Sequence, residues 1–131
     1  MIDNKTISYR RDVLRFAADK YKTNPEYLWA SFPQYAVLRH SDNKKWYALI
    51  MNVPKEKLGL SGKEYVDILD VKVDPAMSGS LLMEKGIMPG YHMHKGNWIT
   101  ILLNGSVDKE KIFFLLEMSF DLTANKKQCK R

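Results

Sequence analysis

Hydrophobic and polar positions along this chain alternate between two periods. Across residues 6–22, Val13, Phe16, Ala17 and Tyr21 recur at helical spacing, with Leu14 and Ala18 beside them. Arg10, Arg11, Arg15, Lys20 and Lys22 take the other faces with Asp12 and Asp19, so the stretch predicts an amphipathic helix. Thr23-Asn24-Pro25 ends it, and Asn24 is placed to cap a short turn with Pro25 at its first position. The period then drops to two. Residues 35–40 and 46–53 are strand-like runs joined by the polar loop Ser41–Lys45, which predicts a hairpin. In the second run strict alternation puts Tyr47, Leu49 and Met51 on one face and Trp46, Ala48 and Ile50 on the other. Apolar residues on both faces predict an interior strand. A polar connection, residues 54–64, leads to a third strand over 65–73, with Asp67, Leu69, Val71 and Val73 sharing a face. Asp74-Pro75 then starts a helix that stops near Gly86, with aspartate as cap and proline at the first position.

The stretch from Gly86 to Gly105 is the least generic part of the chain. Pro89-Gly90 predicts a turn, so its first half is expected to be neither helix nor strand. Its second half alternates, with Trp98, Thr100 and Leu102 against Ile99, Ile101 and Leu103, and predicts a core strand that includes Trp98. After the turn Asn104-Gly105, Asp108 is placed to cap a last helix over 109–122 with Ile112, Leu115, Leu116 and Phe120 inward. The order of elements predicts an α+β fold, a mainly antiparallel sheet with the N- and C-terminal helices packed on one face.

The formal charge of +6 changes this picture less than it promises. Lys126, Lys127, Lys130 and Arg131 sit in the last six residues, and removing them leaves 17 basic against 15 acidic residues. We therefore expect one domain over residues 1–125 and a basic, disordered tail over 126–131. The only cysteine, Cys129, lies in that tail, which leaves no intrachain disulfide. No secretory apolar core opens the chain and no run is long enough to span a bilayer, so the expectation is a cytoplasmic protein with no membrane partner.

Candidate chemistry is sparse. His92 and His94 alternate and point to one side of an extended segment, but no third or fourth ligand follows at readable spacing, so no metal is expected. Ser31, Ser78, Ser80 and Ser106 lack an elbow motif, and neither His40 nor the other histidines has an assignable orienting acid. The expectation is a protein that is not an enzyme and needs no cofactor. Binding surfaces are better represented. Lys44 and Lys45 stand beside Trp46, the connection offers Lys55, Lys57 and Lys63, and the later loop offers Tyr91, His92, His94, Lys95 and Asn97. Basic side chains beside aromatic rings suit phosphate contact and base stacking. Alternatively, a sheet face free of helices forms a platform for a small molecule or protein, lined by Arg39, Trp46, Tyr91 and His92.

Several segments invite a comparison. SFPQYAVLRH (31–40), KKWYALIMNVPKEKLGL (44–60), DVKVDP (70–75), PGYHMHKGNWITILLNGSV (89–107) and the closing MSFDLT (118–123) resemble the MmcQ/YjbR family of small bacterial proteins. The proline-glycine-tyrosine-histidine-methionine run followed by lysine and tryptophan is its most specific piece. His94 departs from the asparagine usual there. The resemblance implies a frataxin/CyaY-like fold and a double-wing mode of binding double-stranded DNA through projecting hairpins, as a monomer or weak dimer. On that reading Lys44, Lys45 and Lys95 meet phosphate, Tyr91 and His92 meet sugar or base, and His94 and Asn97 complete the surface. The iron binding of acidic first helices in the frataxin group does not carry over, because the first helix here has five basic residues against two acids.

Overall fold

The computed structural model describes residues 7–94 and 96–125, so the expected tail over 126–131 and the site residue Lys95 lie outside the described residues. The chain runs α1 (Arg10–Tyr21), β1 (Ala36–Arg39), β2 (Trp46–Pro54), a 3-10 helix (Lys55–Leu58) and β3 (Tyr65–Lys72). It continues through α2 (Pro75–Leu81), β4 (Ile87–Pro89) and β5 (Trp98–Leu102) to α3 (Lys109–Thr123). The strands form one antiparallel sheet in the order β1-β2-β3-β5-β4, which makes this an α+β fold.

Both terminal helices cover the same face. Val13 and Ala17 of α1 and Ile112, Leu115 and Leu116 of α3 bury against Leu38, Ile50, Leu69, Val71, Ile99 and Ile101 of the strands. The helices meet through stacked Phe16 and Phe113, 4.4 Å between ring centroids, and through the Lys20–Glu117 ion pair. Helix α1 begins at Arg10, later than its pattern predicts, because the preceding residues are held elsewhere: the Tyr9 N–H donates to Leu103 O at 2.9 Å and the Ser8 hydroxyl to Asp67 at 2.6 Å. Asn24 caps no helical turn. Glu26 instead pairs its backbone with Val37 on the outer edge of β1. At α2 the expected cap is present, Asp74 Oδ1 accepting the Ala76 N–H at 2.9 Å. Asp108 occupies the equivalent backbone position before α3, but its side chain makes no cap hydrogen bond.

Strict alternation fails at two places. In β2, Leu38 faces Ala48 and Arg39 faces Trp46, which leaves Tyr47 as an extra residue in a β-bulge. Tyr47 therefore turns into the helix-covered core beside Ala48 and Ile50, and Trp46 moves to the face of Leu49 and Met51. The second departure is β4. Residues 87–89 form an edge strand where a turn is predicted. Leu102 N–H bonds Gly86 O at 2.9 Å and Gly90 N–H bonds Trp98 O at 3.1 Å, so the hydrogen-bonding positions are the even ones. Pro89 falls between them, on an edge, where its missing donor costs nothing.

The face away from the helices is not an open platform. Val37, Leu49, Met51, Val53, Val66, Ile68 and Leu102 are all buried there. Their cover comes from irregular segments: Trp29 and Tyr35 before β1, Leu58 and Leu60 after β2, and Tyr91 and Met93 from the β4–β5 connection.

Candidate functional site

The β4–β5 connection leaves one end of the sheet and folds back over this second face. Its anchor is polar. The Tyr91 backbone N–H donates to Thr100 Oγ1 at 2.8 Å, and that hydroxyl donates to Asp70 Oδ1 at 2.6 Å, both side chains being buried. His92 follows in the left-handed region at φ 62, a conformation that a residue with a Cβ holds only when its surroundings impose it. The turn brings the Tyr91 and His92 rings within 4.1 Å of each other.

Opposite this turn stands the segment before β1. Phe32 stacks on Tyr35 at 4.7 Å, and Tyr35 meets Trp29 edge to face at 5.9 Å. Between the two walls lies a cleft of about 450 Å³, lined also by Gln34, Asn52, Pro54, Lys57 and Tyr65. Phe32 at 50% and Tyr65 at 61% exposure present large ring surfaces to solvent at its rim. The Tyr35 hydroxyl is held protonated, its pKa raised first by burial and then by neighbouring Tyr91 and Tyr65. Three phenol groups therefore converge on one opening. A shallower depression beside it is shared by Lys57, Leu58, Met88, Pro89 and Tyr91.

The residues singled out by sequence are divided by the fold. Tyr91 and His92 share the cleft. Arg39 does not join them: its guanidinium forms a two-point pair with Glu26, Nε to Oε2 at 2.8 Å and Nη2 to Oε1 at 2.7 Å. It lines a separate depression of about 400 Å³ with Glu26, Lys22 and Lys44 at the outer edge of β1. Trp46 packs edge to face on Trp29 at 5.9 Å and roofs the sheet without lining the cleft. Lys44 and Lys45 are exposed in the β1–β2 turn, Lys44 at φ 65. Asn97 supplies a backbone carbonyl to the Val73 N–H at 2.7 Å, and exposed His94 accepts the Asn97 and Trp98 N–H groups through its own carbonyl. Trp98 is half-buried and belongs to neither hydrophobic cluster, so it borders the core that it was expected to enter. Among the described residues, no three or more His, Cys, Asp and Glu side chains are grouped to hold a metal ion, and no helix is long and apolar enough to cross a membrane.

Sequence reasoning missed Phe32, Tyr35 and Tyr65. One signal was present. Residues 27–35, YLWASFPQY, carry four aromatic residues with neither helical nor strand period, which marks a loop that spends apolar surface on something other than its own regular structure.

An antiparallel sheet with helices on one face and an aromatic cleft under irregular cover on the other defines a small α+β protein. The chain belongs to the YjbR family, whose model matches residues 18–122. It is 48% identical over 114 residues to the uncharacterized protein YyaQ of Bacillus subtilis (strain 168), covering 87% of this chain and 97% of that one. A crystal structure of a Pseudomonas syringae protein superposes with a TM-score of 0.86 at 50% identity, covering 88% of this chain and 98% of the other. A Deinococcus radiodurans structure with the DUF419 domain shares the fold at a TM-score of 0.66 and 23% identity, covering 96% and 85% of the two chains.

Proposed function

We propose that the protein is a non-catalytic binding module that takes a planar small molecule in the cleft beneath the Tyr91–His92 turn. The observation that carries this reading is the convergence of Phe32, Tyr35, Tyr65, Tyr91 and His92, from three separate segments, on one opening of about 450 Å³. That volume falls within the range of small-molecule sites, and flat aromatic walls favour a flat occupant. Catalysis is disfavoured because none of the residues lining the cleft is a carboxylate able to orient His92 as a base. Backbone NMR of the protein with a library of planar fragments tests the reading. Amide shifts gathered on residues 32, 34, 35, 65 and 91–92, and lost in Tyr91→Ala, support it. Fragments that bind nowhere, or only at other surfaces, overturn it.

A second reading, contact with double-stranded DNA through the β1–β2 hairpin, is favoured by the exposure of Lys44 and Lys45 at its turn. The strand register puts that turn and residues 90–94 and 96–97 at the same end of the sheet. If both lysines meet phosphate, replacing them with alanine lowers the slope of log affinity against log salt by about 2 in a duplex titration. An unchanged slope removes the hairpin from the interface.

A further inference from the structure

The ionisable groups of the cleft narrow its occupant. Lys57 and His92 line it together with Tyr35, Tyr65 and Tyr91, and no aspartate or glutamate lines it among the described residues. Glu56, next to Lys57 in sequence, is exposed and does not line the cleft, and two other nearby carboxylates are engaged elsewhere. Glu64 pairs with Lys55 at 3.5 Å. Asp67, beyond Asn52, accepts from Ser8 at 2.6 Å, Asn52 at 2.9 Å and Arg10 at 3.3 Å. Lys57 has no such partner among the described residues and stands beside Tyr91 where the cleft and the shallower depression meet. A site with aromatic walls, phenol hydroxyls and an unpaired ammonium is complementary to a ring that carries negative charge.

Resting on the small-molecule reading, we infer that the cleft selects a planar aromatic anion, a ring bearing a carboxylate or phosphate. The ring lies against Tyr91 and the Phe32–Tyr35 stack, and Lys57 faces the anionic group. The phenol hydroxyls serve as additional donors to its oxygens.

The experiment compares matched probes on the full chain by NMR titration: naphthalene-2-carboxylate, the neutral naphthalene-2-carboxamide and naphthyl phosphate. The carboxylate is expected to bind about fivefold more tightly than the amide, the scale of one partly exposed ion pair. That preference falls to parity in Lys57→Gln and is retained in Lys57→Arg, with thermal midpoints of both variants confirming an intact fold. Phosphate preferred over carboxylate identifies a phosphorylated ring, and the reverse identifies an aromatic acid. Either result supports the anion. Acid and amide binding equally at the cleft, with Lys57→Gln without effect, overturns the anion inference and leaves the binding module standing. Shifts absent from the cleft with every probe overturn both.

Discussion

Gly90 is buried where β4 becomes the turn that carries Tyr91, and a methyl group placed on it meets Trp98 O at 2.9 Å and Trp98 Cβ at 3.0 Å. The obstacle is mainly backbone of the paired strand, so relief requires β4 and β5 to separate. We expect Gly90→Ala to cost about 1–3 kcal/mol, the usual range for overpacking a tight site. It should also weaken fragment binding in the cleft, because Tyr91 is the next residue. Urea unfolding checks the first effect, and a loss below about 0.5 kcal/mol contradicts the close approach. This role of Gly90 was half legible. The proline-glycine pair reads as a turn, and a turn does begin there, but the demand on glycine comes from packing against Trp98, eight residues later and across a strand pair. His92 was likewise visible as a polar residue in an unusual loop. Its left-handed backbone was not, because histidine carries no conformational label as glycine does.

Among the elements, β2 shows where pattern reading succeeds and where it stops. Its interior position followed from apolar residues on both faces. The bulge did not, because Trp46, Tyr47 and Ala48 are all apolar and either phase of the alternation satisfies them. The bulge has a partner in α3. Buried Ser119 donates to Tyr47 O at 2.6 Å and accepts the Lys72 N–H at 2.9 Å, closing two backbone groups at the end of the β2–β3 ladder. Tyr47 in turn sends its hydroxyl to Thr23 at 2.7 Å, and burial pushes its pKa up to about 12, so it remains a donor. Ser119→Ala strands both backbone groups and is expected to destabilise by about 1–3 kcal/mol. Ser78→Ala, whose exposed hydroxyl only touches its own helix turn, should stay within about 0.5 kcal/mol. Equal effects of the two in chemical denaturation would remove the bridging role of Ser119. The cleft was less legible than any element, since Tyr35, Tyr65 and Tyr91 meet only after three strands have taken their order.

At the scale of the whole molecule, His40 couples the sheet to the end of the last helix, and this makes stability depend on pH. Its ring is buried, Nε2 lying 2.8 Å from Thr123 Oγ1 and 3.1 Å from Phe120 O, with the Phe120 ring centroid 4.2 Å away. The Thr123 hydroxyl donates to Ser119 O at 2.8 Å, so it accepts from His40, which fixes the proton of neutral imidazole on Nε2. Desolvation lowers the pKa of His40 below its ordinary 6.5. Asp42, the Phe120 carbonyl and Asp121 oppose the shift without cancelling it, and Lys45 adds to it. The unfolded chain therefore binds a proton that the folded chain resists. Stability is full above pH 6.5 and declines as pH falls from there toward the lower folded-state value, by at most about 1.4 kcal/mol per pH unit. The carboxylates with lowered pKa, Asp67, Glu26 and Glu64, contribute losses of their own only below their ordinary values of 3.8 to 4.5, outside this window. Urea midpoints measured between pH 5 and 7.5 should thus fall toward acid in the native chain. In His40→Gln, which keeps a neutral donor near Thr123, the midpoint should be lower overall and its slope over this range should flatten. A slope unchanged by the substitution would place the acid sensitivity elsewhere in the molecule.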